Sequence, residues 1–426
     1  MTAKDRGTGS HPTVSPLTLP GFRWLWSGGL VSLTGTHMQF VALPYFVHEQ
    51  TGSSFATALA AAAQALPGVT LGPLAGAVAD SRDSRRLLIV ANVVLAAVTL
   101  GFCLTLVAPW WVVVVVAFPQ AVAAQLVAPA ELVLVPSLVP ATSLPAANSL
   151  IGATYSLARL AGPAAGGLLY AVAGLPTVAV ANALSFAAAA TLVSRIRSNK
   201  APPPEHLEPP ARPRVRTTRP RVSGGWSDGW AEIRRQPLLA RLLVVFVLTG
   251  IGEGCVSALL APYTADVFGS STALGLLLTC QAVGGLAGAL VMSRWEVLDR
   301  IPRTLGAAAV TCGVLLAVMT GYPPFYPPLW PALLLIAVAG LPFAAVAAAQ
   351  TTLLQTLPRP ALRGRVFGVT AATTGAAQLL GILTAGYLAD RTTVYLLLAD
   401  APCYLLAGLV ILQARRHPNP TRTTTN

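Results

Sequence analysis

A dozen apolar runs, each about 20 residues or longer and separated by short polar gaps, constrain this chain more than any other feature. A helix needs roughly 20 residues to cross the hydrocarbon core of a bilayer. No water reaches the backbone there, so runs of this length span as helices that satisfy their own amides. The predicted spans are about 22–47, 54–79, 86–107, 110–134, 146–172 and 174–194, then about 238–263, 271–293, 302–321, 327–353, 364–389 and 391–414. Only 10% of the residues are charged and the mean hydropathy is +0.66. A water-soluble domain has roughly 25% charged residues, so lipid is the solvent for most of this surface. The expected fold class is all-α integral membrane, with twelve transmembrane helices.

The polar gaps organise the chain. Residues 1–21 read as a tail, 22–194 as a first six-helix bundle, 195–237 as a linker, 238–414 as a second bundle and 415–426 as a closing tail. The apolar run near Phe22 lacks a clear cleavage site and is expected to be a retained helix. The linker begins Pro- and Arg-rich and ends in GGWSDGWAEIRRQP. Trp226, Trp230 and Ile233 share one face of a short helix there, which would lie either on the membrane surface or on the underside of the protein.

The net charge of +13 excludes nothing until its location is considered. Of the 28 Lys and Arg, all but Arg159 and Arg391 fall at one side of a twelve-helix topology. Basic loops stay in the cytoplasm, so both termini and the linker are expected there, in a bacterial inner membrane. Nucleic acid is not an expected partner. The five cysteines all lie in apolar runs without CxxC spacing, which argues against disulfides and metal. No GxxxxGK, HExxH or GxSxG motif is present. Neither a nucleotide cofactor nor an enzyme activity is expected, and the energy source would be a proton gradient.

The halves repeat each other. GPLAGAVADSR at 72–82 matches GGLAGALVMSR at 284–294 at seven of eleven positions. Pro44-Tyr45 before Gly52 recurs as Pro262-Tyr263 before Gly269, and Gly162 and Gly167 recur as Gly381 and Gly386. A parallel duplication of six helices places a site between the halves, at mid-membrane.

Charges inside a bilayer are costly and mark function by default. Glu253 stands midway along span 7, and His37 at similar depth in span 1. Either could carry a coupling proton, a histidine having an unperturbed pKa of about 6.5; each could instead be a structural partner. Arg159 in span 5 could hold an acid or an anionic ligand. Glu131 sits near the end of span 4, and Asp400 in span 12 reads as a local structural acid. Ser32, Thr36, Gln39, Gln64, Gln120, Gln125, Gln281, Gln350 and Gln378 are the cavity candidates, with interhelical hydrogen bonding as the alternative for each.

The loop after span 2 contains Gly76, Asp80, Arg82, Asp83, Arg85 and Arg86. It resembles the signature G-x-L-A-D-R-x-G-R-R of the major facilitator superfamily, from which Ser81, Asp83 and Ser84 depart. Its D-x-x-D-x-R-R variant, the opening FRWLWSGGLVSLTG, TGSS at 51–54 and RGRVFG at 363–368 look like the branch of macrolide efflux proteins and the enterobactin exporter. The resemblance implies that this loop is a conformational latch in which Asp80 favours the outward-facing state. Met292 replaces that acid in the second half. Arg159, Gly162, Pro163, Gly166 and Gly167 contain GPxxGG, which resembles the helix-5 signature of exporters. By resemblance the chain is therefore a monomeric, proton-coupled exporter of small apolar or amphipathic compounds such as antibiotics. An importer on the same fold is the alternative, and a membrane sensor or enzyme a more distant one.

Overall fold

A computed structural model describes residues 15–196, 222–292, 301–389 and 400–413. All regular structure among them is helical. The first half comprises α1 (Pro20–Thr51), α2 (Ser54–Ser81), α3 (Ser84–Leu100), α4 (Trp111–Ala124), α5 (Val127–Leu138) and α6 (Leu144–Ser194). The short helix α7 (Val222–Arg235) follows. The second half comprises α8 (Pro237–Phe268), α9 (Ser271–Met292), α10 (Ile301–Gly321), α11 (Trp330–Thr356), α12 (Arg363–Ala389) and α13 (Asp400–Leu412).

Predicted spans and observed helices differ where backbone chemistry intervenes. Spans 5 and 6 follow one another without a loop as the two arms of α6, which reverses at Gly174 with φ 70° and ψ −177°. Only glycine adopts that backbone readily, so the reversal needs no loop. Span 4 is broken in two at Gln125 and Leu126, between α4 and α5. Span 3 ends in a 3-10 turn, Gly101–Leu106. Span 12 is described only from Asp400 onward.

The repeat is visible at the ends of equivalent helices. Both α1 and α8 stop at a left-handed glycine, Gly52 and Gly269, each with φ +62°. Each is the residue after the last helical turn, where its amide bonds back to His48 and Ala265 respectively.

Helix α7 packs against α12. A Cβ at Gly229 would lie 2.9 Å from Val369 Cγ2, so the helices approach closely. Ile233 is buried, and Glu232 is only 1% exposed yet accepts from the Arg359 guanidinium at 2.5 Å. That arginine holds the Glu232 carboxyl below the usual range. Asp228 pairs with Arg365. Trp226 remains 56% exposed, so part of the apolar face points away from the protein.

Candidate functional site

A cavity of about 1020 Å³ lies between the halves. Its wall is unequal. The first half contributes short stretches of α1, α2 and α6, including Phe40, Gln64 and Arg159. The second half contributes residues from every helix between α8 and α13.

Among the described residues, polar contacts between the halves gather toward the end where α1 turns into α2. His48 Nε2 and Asp266 Oδ1 are 3.0 Å apart across the divide. Ser271 Oγ donates to the Gly167 carbonyl (3.0 Å) and Thr279 Oγ1 to the Leu160 carbonyl (3.0 Å). Glycines let backbones meet along this seam. A Cβ on Gly167 would lie 2.5 Å from Ser271 O, and one on Gly386 would be 3.1 Å from Ser54 O. One on Gly275 would run into the Pro163 carbonyl. Small residues at helix crossings permit such approach and strengthen dispersion contact in a membrane.

Five of the sequence candidates line the cavity: Glu253, Arg159, Gln64, Gln281 and Gln378. Glu253 on α8 and Arg159 on α6 are both exposed to this space and lie within electrostatic reach of each other. Asp400 lines it too. The expectation that Asp400 is a local structural acid misses this, because α13 packs directly on α8 where Gly252 leaves room for the carboxyl.

The remaining candidates are engaged elsewhere. Gln39 Nε2 donates to Gln120 Oε1 (2.7 Å), Asn182 Nδ2 donates to Gln39 Oε1 (2.6 Å), and Gln120 Nε2 donates to Thr99 Oγ1 (2.7 Å). This buried network ties α1, α3, α4 and α6 together inside the first half. Gln350 donates to Thr249 Oγ1 (3.3 Å), and Ser32 and Gln125 bond to carbonyls of their own helices. Thr36 donates to the Ser32 carbonyl (2.9 Å). His37 Nδ1 donates to the Leu33 carbonyl (2.8 Å), and Gly162 lies against its Cβ. Arg159 is still within electrostatic reach of His37. Glu131 occupies a small crevice beside Gly29 and Tyr155, apart from the main cavity.

The GPxxGG motif works as a contact surface. Gly162 and Gly166 admit α1 at His37 and Met38, while Gly167 and the Pro163 carbonyl admit α9. In the loop motif, the surroundings of Gly76 and the side chain of Asp80 lie outside what the structure describes. Asp83 caps α3, accepting from the amides of Arg85 (3.0 Å) and Arg86 (3.2 Å). Such caps satisfy the orphan donors of a helix start. Arg85 donates to the Ser194 carbonyl at the end of α6 (2.5 Å), Arg86 stays close to Asp83 (3.8 Å), and Arg82 is exposed. The departure at Asp83 thus has a local purpose that sequence reading did not assign.

Over residues 11–424 the sequence matches the family described as transmembrane secretion effector, a major facilitator family. The chain belongs to it. This transporter of the secretion effector family is 30% identical over 415 residues to the multidrug efflux pump Tap of Mycolicibacterium fortuitum, covering 94% of this chain and 96% of that one. It is 25% identical to macrolide efflux protein A of Streptococcus pyogenes, over 92% of this chain and 93% of the relative. Among solved structures, a bacterial homologue of the iron transporter ferroportin in an inward-facing state has a TM-score of 0.68 at 18% identity, with 92% and 98% of the two chains covered. A bacterial homologue of the lysosomal transporter Spinster gives 0.65 at 14% identity, with 96% and 100% covered. The family establishes a multi-pass membrane transporter rather than an enzyme, and the structural neighbours share its fold.

Proposed function

We propose that this transporter is a proton-coupled exporter of small apolar or amphipathic compounds, working by alternating access. The observation that carries the reading is the cavity. It holds about 1020 Å³ between two repeated halves, its wall is mostly apolar, and its few polar groups converge from both halves. Sites for drug-sized molecules have this character. The relatives named as multidrug and macrolide efflux pumps support the direction of transport.

Twelve crossings put both termini and α7 in the cytoplasm of a bacterium, by the distribution of basic residues. The seam at His48, Gly167 and Gly386 then closes the outer side, and ligand enters from the cytoplasm or the inner leaflet. Glu253 carries the coupling proton. Its carboxyl is exposed to the cavity, and Arg159 lines the same space from the first half. Proton entry releases about 2.3 kcal/mol per 100 mV, enough for a roughly fiftyfold gradient of a neutral solute.

The test is efflux of a panel of antibiotics and dyes from a pump-depleted bacterium, with and without a protonophore. Efflux that the protonophore abolishes and that Glu253→Gln slows by about tenfold or more is the expected result. Uptake of a metabolite instead of efflux overturns the direction. Protonophore-sensitive efflux undiminished in Glu253→Gln removes that residue from the coupling step.

A further inference from the structure

The two halves treat arginine in opposite ways at the rim where α1 and α8 begin. On the second half, Arg359 and Arg365 are paired with Glu232 and Asp228 of α7. On the first half, Arg23 stands in the first turn of α1 and Arg195 directly follows α6. Both are exposed, and neither is paired with a carboxylate among the described residues.

Both guanidiniums lie against one indole. The guanidinium carbon of Arg23 is 5.4 Å from the centre of the Trp24 ring, and that of Arg195 is 5.1 Å from it. Each distance is within cation–π range. The two charges are therefore within about 10 Å of each other, a separation that salt does not fully screen. A third cation adjoins them. Arg85 donates to the Ser194 carbonyl (2.5 Å), next to Arg195, and its Nε is buried without a hydrogen-bond partner. Asp83, the acid on the same helix start, is occupied in capping α3 beside Arg86.

The fold holds this cluster in place. Gly21 lets α1 close on α5 and on the residues after α6; a Cβ there would lie 3.1 Å from Leu138 Cδ2 and 3.8 Å from Ile196 Cγ2. Phe22 is fully buried, and Trp26 donates its indole N–H to the Leu150 carbonyl (3.1 Å). Trp24 packs at the edge of the same apolar cluster, but its own N–H has no acceptor among the described residues.

Uncompensated like charges beside an unused indole donor favour an anion. Tryptophan belongs at the membrane–water interface, with its ring in the apolar zone and its N–H at the level of the headgroups. A guanidinium presents a fork of N–H donors that matches phosphate oxygens. At the end of two membrane-spanning helices, the phosphates at hand in greatest number are those of the bilayer itself. We propose that Arg23, Trp24 and Arg195 form a site for the headgroup phosphate of an anionic phospholipid, which ties the start of α1 to the end of α6. The site is separate from the cavity between the halves, and the proposal holds whatever that cavity carries.

The test is native mass spectrometry of lipid retained by the purified full chain in detergent, titrated with phosphatidylglycerol or with phosphatidylcholine of the same acyl chains. Wild type is expected to hold phosphatidylglycerol about tenfold more tightly. Arg23→Gln together with Arg195→Gln should weaken phosphatidylglycerol by about tenfold and leave phosphatidylcholine within about twofold. Arg23→Lys with Arg195→Lys keeps the charge and should stay within about threefold of wild type. The control pair Arg241→Gln and Arg303→Gln removes as much charge from the second half, and should leave phosphatidylglycerol within about twofold. Phosphatidylcholine binding doubles as the check that each variant is folded. Equal binding of the two lipids by wild type, undiminished phosphatidylglycerol binding in the first glutamine pair, or an equal loss in the control pair overturns the site. Displacement of the lipid by excess inorganic phosphate makes it a site for free anions and overturns the lipid assignment. Loss of both lipids in the glutamine and lysine pairs alike makes the two arginines structural and sinks the proposal.

Discussion

The interiors of the two halves use polar residues in opposite ways. In the first half, Gln39, Gln120, Thr99, Asn182 and Ser185 close a hydrogen-bonded network with little solvent contact. In the second half, polar residues face the cavity between the halves instead: Glu253, Gln281, Gln378 and Asp400 border that space. A duplicated bundle can thus divide its labour. One copy becomes a rigid wall whose polar groups satisfy each other, and the other keeps its polar groups available to a guest. Buried polar networks rigidify when complete, which suits the first role.

The largest expected effect comes from making the first half resemble the second. Asn182→Asp removes a donor from Gln39 and puts an acid in a closed site, and should lower stability by about 3 kcal/mol. A fall in melting temperature of the detergent-solubilised protein measures it; an unchanged temperature would mean the first half is not the rigid one. Gln39→Leu takes the partner from Gln120 Oε1 and from Asn182 Nδ2 and should cost about 2 kcal/mol. Gln378→Leu, on the cavity wall, should stay within about 0.5 kcal/mol while changing which compounds are exported. Equal losses for these two substitutions would erase the distinction between wall and cavity.

Helix α7 sharpens the comparison because it clasps only the second half, on α12. Arg359 holds the Glu232 carboxyl low, so the clasp is fully present above about pH 4.3, the unfolded value, and is lost as pH falls through the folded one. Glu232→Gln should raise hydrogen exchange in α7 at neutral pH, with little change in α1–α6. The smallest effect is expected where the halves meet. Asp266 is half exposed, so Asp266→Asn should weaken the contact between the halves by only ~0.5 kcal/mol, about a twofold shift toward the state in which that seam is open. Distances between spin labels on α2 and α12 would read it.

Hydropathy alone locates most of the helices because a bilayer leaves the chain few choices; the starts of α2 at Ser54 and α9 at Ser271 match the predicted 54 and 271. The sequence also names Glu253 and Arg159, since a charge in a long apolar run stands out. Which way a glutamine faces is not written there. In α1, Ser32, Thr36 and Gln39 share one helical stripe, but nothing in the sequence says whether that stripe faces the cavity or α4 and α6. Gln39 and Gln64 look alike as sequence and differ in role. Asp400 was legible as a charge but not as a cavity residue, because its position depends on Gly252, 148 residues away in the chain, having no side chain.

The seam of glycines where the two halves meet has an evolutionary consequence. Where Gly167, Gly275 and Gly386 meet backbone, a single added methyl group is too many, so drift at these positions leads to loss of movement rather than to a new specificity. The cavity wall has room for larger and smaller side chains alike. Natural variation in what this transporter recognises is therefore expected to accumulate on α8, α9 and α12 around the open space, while the closing surface stays fixed. A laboratory selection for new cargo would find its winners in the same place.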